Sequence, residues 1–248
     1  MQLDRHFDPF NLNPGSIEAR PVEERGPWLA TSLGGMWSIS HPHPRDVFLE
    51  DIAAGLSRTC RYGGQIRADA PFYSVAEHCV LMTEWAIYGD FVRTREDALA
   101  ILLHDAAEAY FGDMPTPLKK MMPEYSILEK RAQATIERAF CLDPTVLSIS
   151  HADIKLIDRR IRIDERAALI LDPALSAGRN VAWSEEEGLS ALRVNIRALD
   201  PIAARADFLE TFAWVCENMP SVSKFPEAAQ IQIDRARPAP DLLAEMAP

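Results

Sequence analysis

The sequence predicts a mainly α protein with one small β-hairpin near its N-terminus. From Val75 onward, apolar residues recur at helical spacing, and the breaks between periodic stretches are short and rich in Gly, Pro and Asp. One stretch alone competes with that pattern: "WLATSLGGMWSIS" sets two β-prone runs around Gly34-Gly35, as a tight hairpin requires.

Residues 1–26 are rich in Pro, Asn, Asp and Glu and lack periodicity, so they read as an N-terminal arm. The hairpin then opens a single domain over residues 27–219. In "HPHPRD" the alternating prolines break the chain, and His41 and His43 are expected in a solvated turn rather than at a metal. "DVFLEDIAAGLSRTC" carries Val47, Ile52 and Leu56 at amphipathic spacing and predicts a helix ending before "RYGG". Further helices are expected at about 74–88, 95–110, 125–140, 151–171, 185–198 and 201–217. Residues 220–248, with five prolines from Pro220 to Pro248, read as a Pro-rich C-terminal tail lying on the surface or on a neighbouring subunit.

A chain of 248 residues with 48% hydrophobic side chains can bury a sizeable core. Its 37 acidic against 26 basic residues give a net charge of -11, which repels a phosphodiester backbone, so long nucleic acids are not expected as partners. A small anion is still admissible, because a few arginines or a metal ion reverse the field inside one cleft. Cys60, Cys79, Cys141 and Cys216 form no C-x-x-C pair, which fits a reduced, cytoplasmic protein. No basic segment leads into an apolar run at the N-terminus and no eighteen apolar residues occur in succession, so neither secretion nor a membrane partner is expected.

Chemistry is concentrated in three places. "SVAEHCVLMTEWA" puts His78 in an otherwise apolar helix. "ALAILLHDAAEAYFGDMPTP" runs from apolar residues straight into His104 and Asp105, with Glu108 one turn later on the same face. "KLIDRRIRIDERAAL" sets Asp158 among Leu156, Ile157 and Ile161. Ionisable groups where periodicity demands core must be paired or metal-bound, since stranding them costs several kcal/mol. Two imidazoles with two carboxylates suit Mn, Fe, Co, Ni, Zn or Mg.

The order H, then HD, then a distant D resembles the HD-domain metal-dependent phosphohydrolases. The words "RYGG", "FYSVAEHCVLM", "LLHDAAEAYFGDMPTPLK" and "IDRRIRIDERAAL" resemble the branch containing bacterial and phage 5'-deoxynucleotidases, and the similarity runs from Trp28 to Val215. That resemblance implies an HD-domain helical bundle and hydrolysis of deoxynucleoside 5'-monophosphates to deoxynucleoside and phosphate. The alternatives are a deoxynucleoside triphosphate triphosphohydrolase and a non-catalytic nucleotide-binding module. It implies one divalent metal ion held by His78, His104, Asp105 and Asp158. Asp164 competes for the last place, and Asp158 is preferred because the family's ligand Asp precedes a Glu by seven residues, here Glu165. Glu108 and Asp113 match catalytic carboxylates, with the proton donor left open between them. Arg61, Tyr62 and Lys119 are implied substrate contacts, Arg61 as a planar fork for phosphate and Tyr62 as a ring for a base. Relatives carry Trp where Tyr62 stands and His where Gln65 stands, which leaves substrate preference open. The resemblance also implies a homo-oligomer.

Overall fold

A computed structural model of the chain describes residues 17, 20–170, 186 and 188–222, so most of the expected N-terminal arm and C-terminal tail lies outside the described residues. It is mainly helical, with one two-stranded antiparallel hairpin, as the periodicity predicts. Strands β1 (Trp28–Ala30) and β2 (Met36–Ser38) pair in the register Trp28 with Ser38, Leu29 with Trp37 and Ala30 with Met36. Trp37 is fully buried and stacks on Tyr110 at 4.0 Å between ring centroids, which fastens the hairpin to the helical body.

The helices are α1 (Leu49–Arg58), α2 (Val75–Tyr88), α3 (Arg95–Leu102), α4 (Glu108–Phe111), α5 (Thr116–Lys119), α6 (Pro123–Ala139), α7 (His151–Leu169) and α8 (Pro201–Asn218). Their starts follow from local chemistry. Ser74, Thr94 and Ser150 each accept a backbone N–H three residues on, and Asp200 accepts two, from Ile202 and Ala203. At α7, Asp153 reciprocates to the Ser150 N–H and completes a capping box. Every residue from Val75 to Thr83 is buried, so α2 is the central helix, with α1, α3, α7 and α8 packed against it. No described helix is long and apolar enough to cross a membrane.

Three local expectations need correction. The helix expected at 95–110 is interrupted: α3 ends at Leu102 and residues 103–107 form successive turns before α4. The helix expected at 185–198 is absent from its described part, where residues 189–200 are irregular. Their N–H groups are satisfied sideways: Asp164 accepts those of Leu192 and Arg193, and Glu77 those of Arg197, Ala198 and Leu199. His43 is buried, not solvated, and its Nδ1 accepts the Arg45 N–H.

Gly55 lets α1 and α4 approach with no side chain between them. A Cβ there would lie 2.6 Å from the Ala109 carbonyl oxygen and 2.8 Å from its Cα, atoms that cannot yield without moving α4. Gly55→Ala is expected to destabilise the protein by about 1–3 kcal/mol in equilibrium denaturation.

Candidate metal centre

Three segments deliver the ionisable groups to one place. From α2, the fully buried His78 directs Nδ1 to Glu165 Oε1 at 2.6 Å. An ionised carboxylate only accepts, so Nδ1 carries the proton and Nε2 presents a lone pair. From the turns after α3, His104 donates Nδ1–H to the Ile101 carbonyl at 2.8 Å, and its Nε2 is also left as a lone pair. Both Nε2 atoms are buried and make no hydrogen bond. They face the same carboxylate, Asp105 Oδ2, at 3.8 Å from His78 and 3.2 Å from His104. From α7, Asp158 Oδ1 stands 3.5 Å from His78 Nε2. Ligand atoms of His78, His104 and Asp105 all lie within 4.8 Å of one another, a group that could hold a metal ion. Two buried nitrogens beside a carboxylate make no hydrogen bond in the protein, and a cation could complete them.

The turn bearing His104 and Asp105 exists because another side chain occupies the helix ladder. In a continuous helix the Ala107 N–H would bond the Leu103 carbonyl. The Gln133 amide of α6 sits between them: its Oε1 accepts the Ala107 N–H at 3.2 Å and its Nε2 donates to the Leu103 carbonyl at 2.9 Å. Three-residue bonds replace the ladder, among them Glu108 N–H to the Asp105 carbonyl at 2.9 Å.

Arg61 extends from the loop after α1 into the acidic cluster. Its Nη1 donates to Asp105 at 3.3 Å, and its Nη2 lies 3.5 Å from both Asp158 and Glu165. Tyr62 follows with φ near 60°. Its N–H donates to Asp113 Oδ2 at 2.8 Å, and its hydroxyl donates to Glu165. Asp113 thus holds the "RYGG" loop in its turn. Glu165 also accepts the Tyr73 hydroxyl at 2.8 Å. Burial works against ionisation of Glu165, but Arg61 and His78 outweigh it and hold the group below the usual carboxylate range. Burial likewise opposes the charge on Asp105, and His104 and Arg61 hold that group low as well. Glu108 goes the other way. It is 5% exposed, its Oε2 has no hydrogen-bond partner, and burial, Asp105 and Asp113 together push its pKa well up.

These groups floor a cavity of about 730 Å³ whose lining includes Arg61, Tyr62, Asp105, Glu108, Asp113, Lys119 and Asp158. Lys119 sits on its wall, paired with Glu129 at 2.8 Å. Asp164 is elsewhere, accepting backbone N–H groups from Leu192 and Arg193. His151 is exposed at the first position of α7. Sequence reasoning missed the positioning residues Glu165 and Gln133. Glu165 had a signal, a second acid two helical turns beyond Asp158 on the same face. Gln133 had none, since its partners lie 26 and 30 residues away.

No family model matches the chain. The chain is 33% identical over 168 residues to the uncharacterized protein YfdR of Escherichia coli, covering 67% of this chain and 83% of that protein. To the uncharacterized protein RCAP_rcc00048 of Rhodobacter capsulatus it is 38% identical over 121 residues, covering 48% of this chain and 61% of that protein.

Two substitutions test how the centre is held. Glu165→Gln keeps the shape but removes the charge behind His78, so metal affinity measured by calorimetry should fall about 10–100-fold. Because the folded pKa of Glu165 lies below its unfolded value, its stabilisation is present above about pH 4.3 and is lost as pH falls; the variant should be less stable at pH 7 and lose less on acidification. Gln133→Leu frees Ala107 and Leu103 to bond each other, so the turn closes into regular helix and metal affinity should drop about tenfold or more while circular dichroism stays helical. Wild-type affinity in that variant would show that the break does not depend on Gln133.

Proposed function

The chain belongs to the family of YfdR, and from the chemistry of its centre we propose that it is a metal-dependent phosphohydrolase that converts deoxynucleoside 5'-monophosphates to deoxynucleoside and inorganic phosphate. One observation carries this reading: two buried imidazole nitrogens without hydrogen bonds face Asp105 at the floor of a cavity that also holds a guanidinium and the buried carboxyl group of Glu108, whose Oε2 has no hydrogen-bond partner. The resemblance of "HDAAEAYFGDMPTP" to the 5'-deoxynucleotidases supplies the substrate class.

In this reading His78, His104, Asp105 and Asp158 hold one divalent ion, and Co, Mn, Zn, Ni, Fe and Mg all accept such a mixed N/O set. The bound ion would supply Lewis acidity to a phosphoryl oxygen and lower the pKa of a neighbouring water. The remaining work falls to the chain. Arg61 turns its fork to the phosphate, and Asp113 fixes the loop from which Arg61 and Tyr62 project. Lys119 adds positive charge at the wall. As a bond forms from water oxygen to phosphorus, the bond from phosphorus to the 5'-oxygen breaks and Glu108 gives its proton to that oxygen; the water sheds one proton to solvent, keeps the other on the phosphate, and Glu108 regains a proton from solvent before the next turnover. Glu108 suits this role because burial, Asp105 and Asp113 push its pKa well above the usual carboxylate range, whereas Asp105, one turn earlier, is held low by His104 and Arg61.

The test is phosphate release from deoxynucleoside 5'-mono-, di- and triphosphates by the metal-loaded protein, with products separated by chromatography. Inorganic phosphate and deoxynucleoside are expected from monophosphates, with Asp105→Ala inactive. Glu108→Gln should lower kcat by about 10²–10⁴-fold. Wild-type activity should decline as rising pH deprotonates Glu108, and the variant should lack that decline. A folded, metal-loaded protein that leaves every nucleotide intact would overturn the proposal.

A further inference from the structure

A second cavity, of about 600 Å³, reaches the same centre. It shares Asp105 and Asp158 with the first and adds His104, but its other walls are different: Lys130 and Gln133 from α6, and His151 and Lys155 from α7. The two cavities therefore meet at the two carboxylates and approach the centre from different sides. Their cations differ in kind. In the first, Arg61 is bound to Asp105, Asp158 and Glu165, Lys119 to Glu129, and Arg162 lies 3.9 Å from Glu186. In the second, Lys130 and Lys155 make no ion pair or hydrogen bond with any described residue. In a protein of net charge -11, two lysines from different helices converge without partners on one cavity at an acidic centre. Such a pair fits an anion that arrives from solution.

From this we infer that the second cavity binds a phosphate anion through Lys130 and Lys155. The inference rests on the proposed hydrolysis for the origin of that anion. Displacement at phosphorus is in line, so attacking and leaving oxygens lie on opposite sides. Glu108, the proton donor to the leaving oxygen, lines the first cavity and not the second. The deoxynucleoside departs into the first cavity. The water oxygen, which remains in the product, comes from the side of the second. The phosphate that forms then faces Lys130 and Lys155, and the cavity is its way out. The same lysines would also meet the distal phosphates of a nucleoside triphosphate reaching past the centre.

Calorimetric titration of the full chain with orthophosphate, and separately with a deoxynucleoside triphosphate, tests the site in wild type and in Lys130→Gln/Lys155→Gln. Both lysines are exposed on helices, where Gln is well tolerated. Losing two charge-assisted contacts should weaken binding by about tenfold or more, whereas Arg93→Gln/Arg138→Gln, equal in charge but away from the cavity, should change it by less than about twofold. A loss confined to orthophosphate assigns the released product, and a loss for the triphosphate as well assigns its distal phosphates. If nothing is hydrolysed yet the lysine pair still sets orthophosphate affinity, the anion site stands without the hydrolase reading. Affinity for both probes within about twofold of wild type in the lysine variant overturns the anion site, and it leaves hydrolysis of monophosphates untouched.

Discussion

The structure depends on the burial of more negative charge than the protein can neutralise locally. Asp105, Asp158 and Glu165 converge around one guanidinium, that of Arg61, which leaves two negative charges beside the His78 and His104 rings. Such a cluster persists only if positive charge completes it. Two sources are at hand. Protonated imidazoles are one, and Asp105 does draw the pKa of His104 upward against the effect of burial. A divalent cation is the other, and it would take up both Nε2 lone pairs and neutralise two charges at once. The geometry is that of a group that could hold a metal ion.

Each element contributes to holding that imbalance in place. α2 is buried nearly all round, so His78 cannot retreat to solvent, and Glu165 pins the ring through Nδ1. Glu165 is pinned in turn by two tyrosine hydroxyls, one from Tyr62 next to Arg61 and one from Tyr73. α7 supplies Asp158 and Glu165 two turns apart, so one helix provides both a group facing the centre and the group that orients its neighbour. The carboxylates that organise the surroundings work similarly. Glu77 and Asp164 satisfy the backbone of residues 192–199 and lay that segment against the helices.

Much of this was legible in the sequence, and what was not shares one physical cause. Helix starts were readable because caps are local: Ser74, Thr94, Ser150 and Asp200 act within three residues. His78, His104 and Asp105 were conspicuous because ionisable groups break an apolar pattern. The errors occur where a distant side chain takes over a backbone group. Gln133 divides the expected helix at 95–110, and Glu77 reaches 120 residues along the chain to Arg197, in a segment whose periodicity favoured helix. Propensity describes a backbone left to itself, and these stretches are not. The buried His43 follows the same rule, since alternating prolines forecast a turn but not that the fold would close over it.

Glu108 and Asp105 line one cavity three residues apart, yet their surroundings differ. In a regular helix the two carboxylates would share a face and much the same environment. Gln133 instead turns the chain between them. Asp105 meets Arg61 and two imidazoles and is held ionised, while Glu108 lies under cover with no cation in hydrogen-bonding contact and is driven toward its neutral form. Asp105 also acts on its neighbour, because its charge is one cause of the raised pKa of Glu108. Burial and neighbouring charge thus push two carboxyl groups of one turn in opposite directions, an anion fit to meet a cation and an acid fit to give up a proton, the pairing that the proposed phosphate transfer requires.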